Sequence, residues 1–70
     1  MNQKKRYKYF VELYQDYLPS EKLKMRSHRG EFHEIQDFLS PSLRGIVQVE
    51  ASTALEAYNM AKPILMQKVL

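Results

Sequence analysis

The clearest alternation of apolar and polar residues lies in the last third of the chain. Residues 46–50 are mostly β-branched, and their side chains alternate. Val47 and Val49 share one face, while Gln48 and Glu50 share the other. This pattern predicts a strand.

The helix predicted after this strand contains a proline. Residues 54–61 are mostly good helix formers, and Ser52 or Thr53 can cap their first turn. Pro63 is unfavourable inside a helix because it lacks an N–H and clashes with the preceding turn. We therefore expect a kink there, or a helix that stops near Ala61 and starts again. The apolar stripe at helical spacing comprises Ala54, Leu55, Tyr58, Ala61 and Leu65.

Residues 4–18 fit two periodicities. A helical stripe collects six of the eight apolar residues and one face of a strand collects five. The abundance of Tyr, Phe and Val favours a strand, which we adopt while the helix stays open. The strand has Tyr7, Tyr9, Val11, Leu13 and Tyr17 on one face. The other face has Lys4, Arg6, Lys8, Phe10, Glu12, Tyr14, Asp16 and Leu18.

Two shorter elements are predicted between these segments. Residues 22–28 predict a strand with Leu23 and Met25 on one face and basic side chains on the other. A helix capped by Ser20 is the alternative. After Gly30, residues 31–39 predict a short helix that ends before Pro41. Its inward residues are Phe32, Ile35, Phe38 and Leu39.

The predicted order of elements is β-β-α-β-α. This order indicates an α+β fold, a small two-layer module with both helices on one face of a short sheet. The other face would be open to solvent or to a partner. Residues 1–70 leave room for a single small α+β domain.

The charge is unevenly distributed. The chain has 11 Lys and Arg residues against 8 Asp and Glu, which gives a net charge of +3. Residues 1–29 contain eight bases and three acids, whereas residues 30–70 contain three bases and five acids. The basic first part indicates an anionic partner.

The first two predicted strands would gather cations and aromatic rings on one face. If they pair through a turn at residues 19–21, most of their basic side chains point the same way. Cations neutralise phosphates and rings stack on bases, so this combination suits single-stranded nucleic acid. The predicted nucleic-acid-binding residues are Lys4, Arg6, Lys8, Phe10, Tyr14, Lys22, Lys24, Arg26 and Arg29.

A structural interpretation of the same charges stays open. Cross-strand pairs of opposite charge stabilise a sheet without any ligand. The register that we expect places Lys24 opposite Asp16, Arg26 opposite Tyr14 and His28 opposite Glu12. In this interpretation the acidic residues of one strand neutralise the basic residues of the other, and the face binds no ligand.

No motif predicts an enzyme. The chain has no Cys, which excludes disulfides and thiolate metal sites, and no serine lies in G-x-S-x-G. His33, Glu34 and Asp37 partly match the zinc-protease pattern H-E-x-x-H, but the second histidine is missing. A solvated helix face explains these residues, so we expect no catalytic residue, no cofactor and no metal.

We therefore predict a small non-enzymatic regulatory protein that binds nucleic acid through its basic strands. The alternative is a protein–protein adaptor or inhibitor, a homodimer that acts through a sheet edge or the C-terminal helix. Its partner interface would comprise Ile64, Leu65, Met66 and Val69. No apolar run approaches the roughly 20 residues of a membrane span, and the start of the chain resembles no signal peptide. We expect a cytoplasmic protein.

Overall fold

The computed structural model describes residues 5–15 and 22–69, which form an antiparallel sheet and two helices. In the sheet, the strand Tyr7–Gln15 lies in the centre, between the strands Leu23–Arg29 and Leu43–Ala51. The α+β class and the β-β-α-β-α order are confirmed. The strands are β1 (Tyr7–Gln15), β2 (Leu23–Arg29) and β3 (Leu43–Ala51); the helices are α1 (Phe32–Ile35), which a 3₁₀ turn (Gln36–Phe38) follows, and α2 (Ala54–Val69).

The ambiguous segment near the N-terminus is a strand, as predicted. β1 pairs with β2 on one side and with β3 on the other. Its side chains Tyr9, Val11 and Leu13 are buried against the rest of the core. The segment forms a strand and not a helix because β2 and β3, on its two sides, supply hydrogen-bond partners for its backbone N–H and C=O groups. Residue 4 and residues 16–18 of the predicted strand lie outside the described residues.

The hydrophobic core lies between α2 and one face of the sheet. Ala57, Ala61 and Leu65 of α2 pack against the odd-numbered residues of β1 and against β3. The two alanines let the helix approach the sheet closely, and Leu65 is fully buried. Complete burial of a residue such as Leu65 stabilises the fold by about 1.5–3 kcal/mol.

Helix α2 starts at a side-chain cap. The Glu56 N–H donates to Thr53 Oγ1 at 3.1 Å, and the Ser52 N–H donates to Glu56 Oε1 at 2.6 Å. These bonds satisfy backbone donors that have no partner within the first turn.

Helix α2 is continuous through Pro63. The expectation that it stops near Ala61 is wrong. Pro63 removes one backbone hydrogen bond, but Ala61 and Leu65 on either side of it are fully buried. Their packing holds the helix against the sheet across the missing bond.

The segment between β2 and β3 contacts the sheet face opposite α2. The Phe32 ring meets the Phe10 ring edge-on at 5.6 Å, and the Ser40 N–H donates to the Glu12 carboxylate. We expected both helices on one face, but α1 contacts the other. The four residues of α1 bury only Ile35, while Phe38, expected to face inward, is 66% exposed.

The register of β1 and β2 differs from the expected one by two residues. Arg26 lies opposite Glu12, not Tyr14, and Lys24 lies opposite Tyr14. An even shift keeps every side chain on its predicted face. The observed register brings the Glu12 carboxylate to the Arg26 guanidinium, which the expected register would not do.

Replacing Gly30 tests the bend that leads from β2 to α1. Gly30 has φ +132°, and a Cβ there would lie 3.0 Å from Glu34 Oε1. Gly30→Ala should lower the free energy of unfolding by about 1–3 kcal/mol in urea denaturation. In a Glu34→Ala background the steric contact is gone, so the remaining loss measures the backbone cost. No loss in that background would contradict the role of the positive φ.

Candidate nucleic-acid interface on the sheet

The sheet face opposite α2 combines cations, aromatic rings and a buried carboxylate. Strand alternation places the even-numbered residues of β1 and β2 on this face, together with those of β3 from Ile46 onward. We call it the outer face. Its residues are Lys8, Phe10, Glu12, Tyr14, Lys24, Arg26, His28, Ile46, Gln48 and Glu50.

Glu12 is the centre of a hydrogen-bond network on the outer face. Its side chain is fully buried. Oε1 accepts from Arg26 Nε at 2.9 Å and contacts His28 Nε2 at 2.6 Å. Oε2 accepts from the Ser40 N–H at 2.9 Å. One carboxylate on β1 therefore binds both β2 and Ser40, which lies between the 3₁₀ turn and β3.

Opposing effects act on the pKa of Glu12. Burial raises the pKa, because it disfavours the charged form. The hydrogen bonds from Ser40 and His28 and the positive charge of Arg26 lower it, and together they outweigh burial. The net result is a pKa below the ordinary value, so Glu12 is a carboxylate at neutral pH.

Arg26, Tyr14 and Lys24 form a cationic and aromatic group at one end of the outer face. The Arg26 guanidinium carbon lies 4.5 Å from the centre of the Tyr14 ring. Lys24 lies directly opposite Tyr14 on β2, and exposed Lys22 comes just before that strand. We call Tyr14, Lys22, Lys24 and Arg26 the Tyr14 corner. Its bases are Lys22, Lys24 and Arg26, and among the described acids Glu12 is in contact with Arg26.

At the opposite end of the outer face, the charge of Lys8 is compensated. Lys8 Nζ lies 2.8 Å from Glu31 Oε1, and the hydrogen bond from Lys8 lowers the pKa of Glu31. The edge-on contact with Phe32 occupies the Phe10 ring. Arg6 donates to the backbone carbonyl of Glu50 at 3.1 Å. These contacts engage Lys8, Phe10 and Arg6, the predicted nucleic-acid-binding residues at this end.

One of the predicted nucleic-acid-binding residues lies away from this surface, and another lies outside the described residues. Arg29 lies opposite Tyr9, so it faces α2, and its guanidinium carbon sits 4.3 Å from the centre of the Tyr7 ring. This position separates Arg29 from the other predicted nucleic-acid-binding residues of the two strands, because odd-numbered residues of β2 point to the core side. Lys4 lies outside the described residues.

The predicted partner interface on α2 is divided in the structure. Leu65 is fully buried in the core and offers no surface to a partner, which corrects its assignment. Met66 is partly buried against the same core, whereas Ile64 is 42% exposed. The side chain of Val69 lies outside the described part of the chain.

The described residues show no group for metal chemistry. His33 and Asp37 are exposed on the short helical segment, and residues 5–15 and 22–69 contain no cluster of three or more His, Asp or Glu side chains that could hold an ion. Within the same ranges, no helix is long and apolar enough to cross a membrane.

Comparisons with known proteins found no match. No protein-family model matches the chain, and no match to it was found among the curated proteins or among the solved structures.

The central role of Glu12 was not predicted from the sequence. Alternation placed it correctly on the outer face, among cations. Its burial depends on Ser40, and nothing in the local pattern of residues 31–39 indicates that this segment would cross the outer face. The signal that could have found it was the single acid between Lys8 and Tyr14 on a strand otherwise lined with bases and rings.

Removing the charge of Glu12 should destabilise the protein at neutral pH. Glu12→Gln is expected to lower the free energy of unfolding by about 1–3 kcal/mol, because Arg26 and His28 lose their shared acceptor charge. Because the pKa of Glu12 is lower in the folded protein, its contribution is fully present above its ordinary pKa of 4.5 and is lost as the pH falls below that value.

Urea denaturation between about pH 7 and pH 3 measures both effects. The wild type should lose stability over the acidic part of this range more steeply than Glu12→Gln. Glu50→Gln, an exposed acid on the same face, is the matched control and should change little. Equal losses of unfolding free energy in Glu12→Gln and Glu50→Gln would contradict the role of the buried carboxylate.

Proposed function

We propose that the protein is a small, non-enzymatic regulatory protein that binds single-stranded nucleic acid through the Tyr14 corner. One observation carries the proposal. The Arg26 guanidinium lies against the Tyr14 ring while Glu12 holds it in place, and Lys24 lies directly across from that ring. The arrangement offers a ring for a base and cations for the neighbouring phosphates.

The Arg26 side chain keeps donors for a phosphate. Its Nε and Nη2 bond to Glu12, and Nη2 also donates weakly to the Phe38 carbonyl at 3.4 Å. Among the described residues none accepts a bond from Nη1, and the side chain is 44% exposed. A planar guanidinium fixed at two of its nitrogens presents the third in a defined direction, which favours an ordered phosphate contact.

The Tyr14 ring supports a stacking role. It is partly exposed, and the guanidinium covers one side of it. Base stacking on such a ring contributes about 1–3 kcal/mol per base and tolerates any sequence. We therefore propose binding with little sequence preference. The compensated end of the outer face, with Arg6, Lys8 and Phe10, plays a supporting part.

Nucleic acid as a ligand also suits a cytoplasmic protein, which we propose as its location. The outer face has two described acids, Glu12 and Glu50, and the buried one, Glu12, is already bound to three donors. No arrangement of these side chains favours a reaction. We propose that binding itself is the function.

Fluorescence anisotropy with labelled single-stranded DNA and RNA tests the proposal. Binding should weaken with salt, with a slope of log K against log salt of about −0.7 per phosphate contacted. Lys22→Ala together with Lys24→Ala should make that slope shallower. Tyr14→Leu should weaken binding by about 5- to 150-fold at every salt concentration, because stacking is lost while the charges stay.

Lys62→Ala is the matched control, since Lys62 is an exposed lysine on α2, away from the outer face. It should bind as the wild type does. No binding to either nucleic acid at about 50 mM salt would disprove the proposed function. An effect of Lys62→Ala as large as that of the Lys22→Ala and Lys24→Ala double variant would show nonspecific attraction to net charge.

A further inference from the structure

We infer that two copies of this chain pair through the open edge of β3 and form one continuous six-stranded sheet. The two strands would run antiparallel across a twofold axis. Exposed apolar side chains on one flank of α2 would meet their counterparts above the junction. This inference is independent of nucleic-acid binding.

The direction of the backbone groups shows which residues face the open edge. The Gly30 N–H donates to the Lys8 carbonyl at 3.0 Å, and the Gln15 N–H donates to the Ser42 carbonyl at 3.2 Å. Backbone groups alternate in direction along a strand. The even residues of β1 therefore bond to β2 and the odd ones to β3.

On β3, the residues that bond to β1 are likewise the odd ones, because Val47 and Val49 lie opposite Val11 and Tyr9. The N–H and C=O groups of Ile46 and Gln48 therefore point away from the sheet. Within the described part of the chain, no backbone group of a turn or loop bonds to them, while the outward carbonyl of Glu50, further along this edge, accepts from Arg6 Nη2. Such an edge is a template for another strand.

The sequence of the edge is compatible with a second copy of itself. Antiparallel pairing centred on Val47 joins Ile46 to Gln48 of the second copy and leaves no charge in the middle. Arg44 and Glu50 flank this stretch with opposite charges. Antiparallel pairing brings each Arg44 to the end of the strand where the second copy carries Glu50, so the charges are complementary.

Helix α2 carries apolar side chains above the same edge. It begins near β2, where Ser27 Oγ donates to the Ala54 carbonyl at 3.2 Å, and it reaches β3 where Leu65 packs beside Gly45. At 100° per residue, Met60 and Ile64 lie about 80° to one side of the buried stripe and Leu55 about 120° to the other.

The handedness of the strands and the helix decides which flank faces the open edge. Viewed from α2 with β1 pointing up, the odd residues of an L-peptide strand direct their backbone groups to the right, so β3 is on the right. In the same view α2 runs upward, because it begins beside Ser27, which lies opposite Val11, and reaches Gly45, which lies opposite Leu13. A right-handed helix in this direction carries Met60 and Ile64 on its right flank. Met60 is 40% exposed and Ile64 42%.

The open backbone edge and the exposed apolar flank thus coincide. At the proposed twofold axis Val47, which is partly exposed, would lie against Val47 of the second copy in a closely spaced pair. Met60 and Ile64 would cover this pair from the helix side. A domain of this size buries only about 60% of its unfolded surface, so covering these residues in a dimer adds substantially to its core.

Sedimentation equilibrium of the full chain from about 1 to 500 µM tests the inference. The wild type should reach twice the monomer mass. Gln48→Pro removes an outward N–H without removing a bond to β1, and it should give a monomer. Gln48→Thr, which keeps the N–H, should remain a dimer. Far-UV circular dichroism checks that each variant is folded.

A second pair of variants tests the helix flank and does not depend on the proline variant folding. Ile64→Glu should raise the dissociation constant of the dimer at least about tenfold. Leu55→Glu changes a side chain that is more exposed, at 70%, but lies on the other flank, and it should have no effect. A wild type that stays monomeric at about 500 µM overturns the inference. Equal weakening by Ile64→Glu and Leu55→Glu overturns it as well.

Discussion

The buried carboxylate of Glu12 is the constraint around which the outer face is organised. An ionised carboxylate without partners is far too costly to bury, so its position demands several donors. Arg26 and His28 supply two from β2, and the Ser40 backbone supplies one from the segment that crosses the sheet. The register of β1 against β2 and the path of the connection to β3 therefore depend on one side chain. The orientation of Arg26 toward Tyr14 follows from the same requirement.

Different interactions stabilise the two faces of the sheet. The α2 face is apolar and closely packed, and small residues such as Ala57 and Ala61 bring the helix near the strands. The outer face has few buried apolar side chains and is held by directional contacts to Glu12 and by the Phe10–Phe32 ring pair. Packing on the first face supplies most of the stability. The polar contacts on the second face define one arrangement of its side chains.

Much of the fold could be predicted because one face of each strand is buried. Alternation in residues 7–15 and 46–50 reports this burial directly, and both strands are confirmed. Shifting β2 by two residues along β1 leaves the alternation unchanged, so alternation could not predict the register that pairs Glu12 with Arg26. It is equally silent on the side that a four-residue helix such as α1 takes. The alternation along β2 indicated that Arg29 faces α2, as Leu23 and Met25 do. We nevertheless included Arg29 among the nucleic-acid-binding residues because of its charge.

The central strand of the sheet is the first one in the chain. β1 is complete early in synthesis, yet its pairing with β3 has to wait until residues 43–51 have been made. Until then only the hairpin of β1 and β2 is available, and an isolated hairpin is marginally stable at best in water. Its apolar side chains Val11 and Leu13 stay uncovered until α2, which follows β3 in the sequence, packs on them. The order of elements thus couples the burial of β1 to the formation of both β3 and α2.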